Sequence, residues 1–305
     1  MMHTLLFAAV IVGTAAAVGA TVGRAARWID REFRHARTLR VILTSVGALL
    51  AGSGLAFAIT EGAAHSAAEA LCCCAAISLA GLLIIAPYLR RTGGTTLRPR
   101  RILAIGAHPD DLELACGATL AKLIDQGHEV HTMIMSHGSS GGDEHTRARE
   151  ARNGSLYLRA GGVSVLDFED TALRRHAQSM IASIERVITD FRPDVVLTHS
   201  EHDQHQDHDA VHEATMRAAR RCGSILCYES PSATRSFSPD FFVDVESHID
   251  VKVRAIELHR DQRKKPYMTG ERARATAAFR GSQARVAFAE GFEVVRLEGS
   301  AIGEF

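Results

Sequence analysis

Hydrophobic and polar positions divide the chain into two regimes that meet near Arg101. Before it, three uncharged apolar runs follow one another: Leu5–Val22, Val41–Thr60 and Ala70–Leu89. Each approaches the roughly 20 residues needed to cross a bilayer core of about 30 Å. The pattern therefore predicts three transmembrane helices, over 5–22, 41–60 and 70–89. After Arg101 the runs shorten and alternate in type. Arg101–Ala107, Glu129–Ser136, Val163–Phe168, Asp194–Thr198 and Ile225–Tyr228 read as buried strands. Between them Leu112–Gln126, His145–Arg159, His176–Phe191 and Asp209–Arg221 carry apolar residues at helical spacing, and Gly127 is a stop signal for the first. Past Tyr228 the pattern is looser, with strands over Phe241–Val245 and Phe292–Leu297 and a helix over Ile249–Arg263. Such alternation implies an α/β fold: a Rossmann-like, mostly parallel sheet with helices on both faces. The predicted organisation is a transmembrane anchor over 1–90, a basic linker over 91–101 and one soluble domain over 102–305.

Charge sharpens this division. The 305 residues have a formal net charge of zero, which by itself describes an ordinary soluble protein. Yet residues 1–101 hold eleven Arg, no Lys and four acids, a net of +7, and the remainder is at −7 and carries thirteen of the sixteen His. The acidic remainder argues against a nucleic-acid binder. A hydrophobic content of 46% excludes a disordered chain. In the first part the charges sit between the apolar runs. Six Arg fall in 24–40, only Glu61 and Glu69 in 61–69, and Arg90, Arg91, Arg98, Arg100 and Arg101 follow the third run. Basic loops stay in the cytoplasm. The expected topology is multi-pass, with the N-terminus outside and everything after Arg90 on the cytoplasmic side. Two spans with the first run in the interface would leave that orientation unchanged. The six Cys show no framework spacing, and Cys72–Cys74 read as small apolar filler, consistent with a reducing compartment.

Chemistry concentrates at two strand ends. His108-Pro109-Asp110-Asp111-Leu112-Glu113 follows the first strand, and the stretch from Thr198 to His208 follows the fourth. In open α/β sheets ligands sit outside the carboxyl ends of strands, at a switch point. Imidazole and carboxylate are good ligands for Zn²⁺, and a catalytic zinc takes three protein ligands and leaves a place for water. His108 and Asp111, three apart at a strand-to-helix turn, can converge on one ion; His205 and His208 share one face of a helix start. Asp110 could serve as base. A protonated His near the ion could stabilise an oxyanion, with Asp207 orienting it and raising its pKa. Taken singly, each cluster has a plainer reading: Asp as a helix N-cap, or a solvated His-rich loop. Two clusters at equivalent positions of one sheet favour chemistry. His199, His202 and His212 exceed what a zinc needs and read as cap, supporting or surface residues. The turn Gly106-Ala107-His108-Pro109 lacks G-x-G-x-x-G, which removes a dinucleotide-binding reading.

Ala107-His108-Pro109-Asp110-Asp111, with Glu113 to Leu120 after it, resembles the opening motif of the PIG-L/LmbE-like zinc deacetylases. Arg192 to His199, continuing to His205-Gln206-Asp207-His208, resembles that family's second motif, H-x-D-H. Lesser likenesses are the Gly-rich loop Ser136–Gly142, Arg147-Ala148-Arg149-Glu150, and Ala289-Glu290-Gly291-Phe292. Leu112 stands where many members have Glu, Gln206 where Pro is common, and His137 where Thr or Asn is common. The resemblance covers about residues 101–298 and none of the apolar segment. It implies that His108, Asp111 and His208 bind zinc, with Fe²⁺ or another divalent ion as alternatives. Asp110 would be the base, and His205 would stabilise the oxyanion or protonate the leaving amine, tuned by Asp207. Arg147, Asp170 and Gly138 are the candidate substrate contacts. The implied reaction is hydrolysis of an N-acetyl group on a glucosamine-type substrate, free, lipid-linked or a thiol glycoside. A non-catalytic, membrane-tethered binding domain is the rival reading; the complete set of site residues argues against it.

Overall fold

The computed structural model describes residues 2–91, 96 and 98–299, with the backbone alone for 2–7 and 9. Part of the predicted linker (92–95 and 97) and the last residues of the predicted soluble domain (300–305) lie outside the described residues. The chain divides after Arg91 into two units.

The first unit is helical: α1 (Met2–Thr21), α2 (Gly23–Glu32), α3 (Ala36–Ile59) and α4 (Gly62–Leu89). The Arg-rich stretch 24–40, read from sequence as a loop, is instead helical over most of its length. Its basic residues do more than set charge. Arg40 donates to the carbonyls of Ala20 and Thr21, which α1 leaves unpaired at its end, and forms a two-pronged pair with Asp30 at 2.9 and 3.1 Å. Arg91 donates to the carbonyls of Asp30 and Arg31. Helices α1 and α3 cross at glycine. A Cβ on Gly13 would lie 2.6 Å from the Gly47 carbonyl and 2.8 Å from the Ala51 nitrogen, so only small residues permit this approach. Helices α3 and α4 are each long and apolar enough to cross a membrane. On α4, Ile77, Leu83 and Ile84 are 72%, 67% and 71% exposed, an apolar face left uncovered within the unit.

The second unit is a seven-stranded sheet in the order β3-β2-β1-β4-β5-β7-β6. Its parallel part is β1 (Arg101–Gly106), β2 (Glu129–Ser136), β3 (Gly162–Phe168), β4 (Val195–His199) and β5 (Ser224–Tyr228). β6 (Phe241–Asp244) and β7 (Ala289–Arg296) complete it antiparallel. Alternation along β1 sends Ile102 and Ala104 into one core layer and Leu103 and Ile105 into the other. The first layer packs under α5 (Asp111–Asp125) and α9 (Ile249–Ile256); the second packs under α7 (Ala177–Phe191) and α8 (Gln206–Ala218). α6 (Glu144–Leu158) completes the parallel half, and α10 (Gly270–Ala284), which has no counterpart in the sequence reading, packs against β7 and α9.

Strand order reverses between β1 and β4, which pair through Ile102↔Val195 to Ala104↔Leu197. The chain runs outward through β2 and β3, then returns to the other side of β1. The two following turns, each carrying one polar cluster, therefore open side by side into the crevice of a switch point.

Candidate active site

The turn after β1 is built by its own second aspartate. Asp111 Oδ2 accepts from the backbone N–H groups of Ala107 and His108 at 2.9 and 2.7 Å. Asp110 adopts φ +101°, a conformation costly for a residue with a Cβ, and its carboxylate does not cap α5. The plain N-cap explanation of His-Pro-Asp-Asp therefore fails, and the strain leaves the Asp110 carboxylate in the cavity lining. The second turn is ordered by α8, which begins at Gln206, three residues before the predicted start. His205 is its N-cap and accepts from the Asp207 N–H through Nδ1, and His208 falls in the first turn.

These two turns bring the ligand candidates together. Asp111 Oδ2 is 3.6 Å from His108 Nδ1, and Asp111 Oδ1 is 3.5 Å from His208 Nε2. Rings of His205 and His208 stack 4.5 Å apart, and His108 lies edge-on to His205 at 4.9 Å. The far nitrogen of each candidate ligand imidazole is held by carboxylate. His108 Nε2 is 3.1 Å from both Asp170 Oδ1 and Asp207 Oδ2, and His208 Nδ1 donates to Asp203 Oδ2 at 2.8 Å. That leaves His108 Nδ1 and His208 Nε2 directed toward Asp111, the disposition of a metal centre whose His ligands are oriented from behind.

Electrostatics fit a cation. Burial alone would lower the His108 and His208 pKa values. The carboxylates of Asp111, Asp170 and Asp207 nevertheless raise His108 well above normal, and Asp111 and Asp203 raise His208 to about 9. Asp111 itself is held well below the usual range, because its imidazole neighbours outweigh the cost of burial. The cluster thus favours positive charge around Asp111. Asp110 behaves oppositely: burial and the neighbouring Asp111 push it up to about 6. His205 is lowered by burial and by His208 and His108. With Nδ1 accepting from Asp207, it is a neutral imidazole that carries its proton on Nε2, not the protonated one expected from the chemistry alone.

Asp207 departs from expectation in part. Its carboxylate bonds His108 and the N–H groups of Thr171 and Leu173 and meets His205 only through the backbone N–H, while its charge raises the His205 pKa as expected, against the larger lowering by burial, His208 and His108. Among the candidate substrate contacts, Arg147 and Asp170 line the cavity, but both have partners. Arg147 donates to the Gly138 and Pro109 carbonyls and lies 3.5 Å from Asp110, while Asp170 accepts from Ser140. Gly138, at φ +69°, makes room for the Arg147 guanidinium. The supernumerary histidines separate. His199 is fully buried 3.2 Å from Asp111, His212 donates to the His199 carbonyl, and His202 pairs with Glu293 at the surface.

The cavity over this centre measures about 350 Å³, and its walls include Leu114, Ser140, Gln204, Pro231, Ser232, Lys265 and Tyr267. Sequence reasoning missed Asp203, Lys265 and Tyr267. Asp203 stood within the His-rich string and was legible as one more acid there; the other two lie in the segment between α9 and α10, where no periodicity marks them.

The chain is similar in sequence to known deacetylases. A model of the family described as PIG-L, GlcNAc-PI de-N-acetylase, matches residues 103–219. An uncharacterized deacetylase of Escherichia coli (strain K12), YaiS, is 42% identical over 166 residues, spanning 52% of this chain and 90% of that protein. The chain belongs to the PIG-L/LmbE-like deacetylase family. Like other PIG-L/LmbE-like deacetylases it is a hydrolase of amide C–N bonds. The diacetylchitobiose deacetylase of Thermococcus kodakarensis is 28% identical over 188 residues, 53% of this chain and 70% of that one. Among solved structures, the conserved protein TT1542 from Thermus thermophilus superposes with a TM-score of 0.58 at 25% identity, covering 64% of this chain and 94% of its own. The family model's match, residues 103–219, lies within the second unit.

Proposed function

We propose that this protein is a membrane-anchored, divalent-metal-dependent deacetylase that removes an N-acetyl group from a glucosamine-type substrate. The carrying observation is that His108 Nδ1 and His208 Nε2 lie 3.6 and 3.5 Å from the two carboxylate oxygens of Asp111 in the cavity lining, with Asp110 beside them. Two imidazoles and a carboxylate suit Zn²⁺, and Fe²⁺ is served by the same donors. An ion held by these three residues would supply Lewis acidity to the acyl carbonyl and to water.

The remaining steps belong to the chain. Asp110, whose pKa of about 6 leaves it ionised near neutrality, takes the proton of the attacking water. The Nε2–H of His205 donates to the oxygen that gains charge as the carbonyl becomes tetrahedral, and as a neutral donor it needs no change of charge to do so. The proton held by Asp110 then passes to the departing nitrogen, giving acetate and a free amine. Arg147 fixes the turn through the Pro109 carbonyl and keeps Asp110 in place. Tyr267 offers an aromatic wall to a sugar ring, with the Lys265 ammonium 5.8 Å from its centroid. The sugar reading is supported by the relatives named for chitobiose and GlcNAc-containing substrates.

The membrane reading rests on α3 and α4 and on the uncovered apolar face of α4. The basic segments at 24–40 and 90–101 against the acidic 61–69 favour a catalytic domain on the cytoplasmic side. Two experiments test the whole. Purified full-length protein should release free amine from a panel of soluble and lipid-linked GlcNAc conjugates, lose the activity to a chelator and regain it with Zn²⁺ or Fe²⁺; activity indifferent to chelation would reject the metal. Labelling of single cysteines at 61–69 and after Arg90 in sealed vesicles should report opposite sides.

A further inference from the structure

Asp203 lies two residues before the N-cap of α8, and no part of the reaction described above uses it. Its side chain is only 1% exposed. One carboxylate oxygen, Oδ2, accepts from His208 Nδ1 at 2.8 Å and from the Ser230 hydroxyl. The other, Oδ1, accepts from the Ser232 hydroxyl at 2.7 Å and from the His205 N–H at 2.9 Å. All four partners donate, so the carboxylate is saturated and cannot rotate without losing a bond. The serines come from the segment after β5, which is tied back to the 202–204 turn. Gln204 N–H donates to the Ser232 carbonyl at 3.2 Å, and Thr234 N–H donates to the His202 carbonyl at 2.8 Å. Ser232 also lines the substrate cavity and lies 3.2 Å from His208 Nδ1. One hydroxyl therefore touches the substrate space, Asp203 and His208 together.

We propose that Asp203 is the positioning residue of the metal centre: held by Ser230 and Ser232, it keeps the His208 proton on Nδ1 and the Nε2 lone pair facing Asp111. This rests on the metal-dependent reading above. An imidazole has two neutral tautomers, and only the one with Nδ1 protonated can coordinate through Nε2. A buried acid that accepts only stabilises that tautomer and the ring's angle. An amide in its place can turn its NH₂ toward the ring and favour the opposite one, as happens when an aspartate behind a catalytic histidine is replaced by asparagine. Ser232 then ties the cavity wall to the metal ligand, so that wall and centre move as one piece.

The test measures Zn²⁺ affinity of the full-length protein by competition with a chromophoric chelator, and the visible spectrum of the Co²⁺-loaded form. Asp203→Asn should weaken Zn²⁺ binding about 10- to 100-fold and change the Co²⁺ bands. Asp203→Glu, which restores an acceptor, should recover part of both, and the Ser230→Ala/Ser232→Ala double variant should weaken binding by a smaller factor. Should Asp203→Asn not fold, the serine double variant carries the test, because a filler of the fold would leave affinity and spectrum unchanged. Zn²⁺ affinity within about twofold of wild type, with unaltered Co²⁺ bands, in a folded Asp203→Asn or serine double variant overturns the proposal. Wild-type protein that binds neither ion would instead overturn the metal-dependent reading itself.

Discussion

The buried pair Lys252–Glu290 offers a quantitative check on how the site is supported. Helix α5, which starts at Asp111, breaks at Cys116 (φ −131°, ψ 18°). A break leaves carbonyls behind it and N–H groups ahead of it without helical partners. Lys252 Nζ donates to the Ala115 carbonyl at 3.1 Å, and Glu290 accepts from the Ala118 and Thr119 N–H groups at 3.2 and 2.7 Å. The two side chains pair at 2.6 Å, each residue 4% exposed. Lys252→Met keeps the stem and removes the charge. Removing one partner of a buried pair costs about 3–5 kcal/mol, and Glu290 retains two N–H donors, so the lower end, about 3 kcal/mol, is expected. For a unit of this size that is a fall in Tm of about 6–12 °C. Scanning calorimetry of the full-length protein in detergent, following the transition of the catalytic unit, measures it. Lys252→Met/Glu290→Gln should recover part of the loss, because no uncompensated charge stays buried. A single variant within about 1 °C of wild type, or a double variant equal to the sum of the singles, would refute the account.

Other expectations follow from the same structure. Asp110→Asn should lower kcat about 10²- to 10⁴-fold with metal content unchanged, and a loss under tenfold would remove Asp110 as the base. Gly47→Leu places its Cβ 2.6 Å from the Gly13 carbonyl and 2.9 Å from the Ala17 nitrogen, both backbone, so α1 and α3 must part. A cost of at least about 1–3 kcal/mol should appear as loss of monodisperse protein on size exclusion, and an unchanged profile contradicts the crossing. Burial depresses the His259 imidazole, but Glu113 at 3.4 Å outweighs it and the pKa is raised. Their mutual stabilisation is therefore complete below the unfolded value of about 6.5 and fades as pH climbs through the folded one. The Tm penalty of Glu113→Gln should shrink from about pH 6 to about pH 9, and equal penalties would exclude the pair.

Much of the site was legible because its residues are close in sequence. His108, Asp110 and Asp111 occupy one turn, and His205 and His208 one helical turn, so spacing alone brings each set together. The partners that orient them were not legible. Asp170 and Asp207 reach His108, and Ser230 and Ser232 reach Asp203, across contacts that no local spacing announces. Asp207 illustrates the limit: its neighbour in sequence is His205, but a carboxylate in the first turn of α8 points across the crevice to His108, which only the β1/β4 pairing places there.

By itself, then, the sequence determined whatever depends on local period and composition. It marked the three apolar runs, the alternating strands and helices of the catalytic unit up to β5, the two polar turns and the residue types able to hold a metal. The tertiary structure decided what depends on which turns face one another. It made most of 24–40 helical, added α10 and the segment bearing Lys265 and Tyr267, and assigned each carboxylate to its imidazole. The reason is physical. Periodicity records how each segment faces water or core within a few residues, whereas the direction of a buried hydrogen bond is set by partners a hundred residues away, once the sheet has folded.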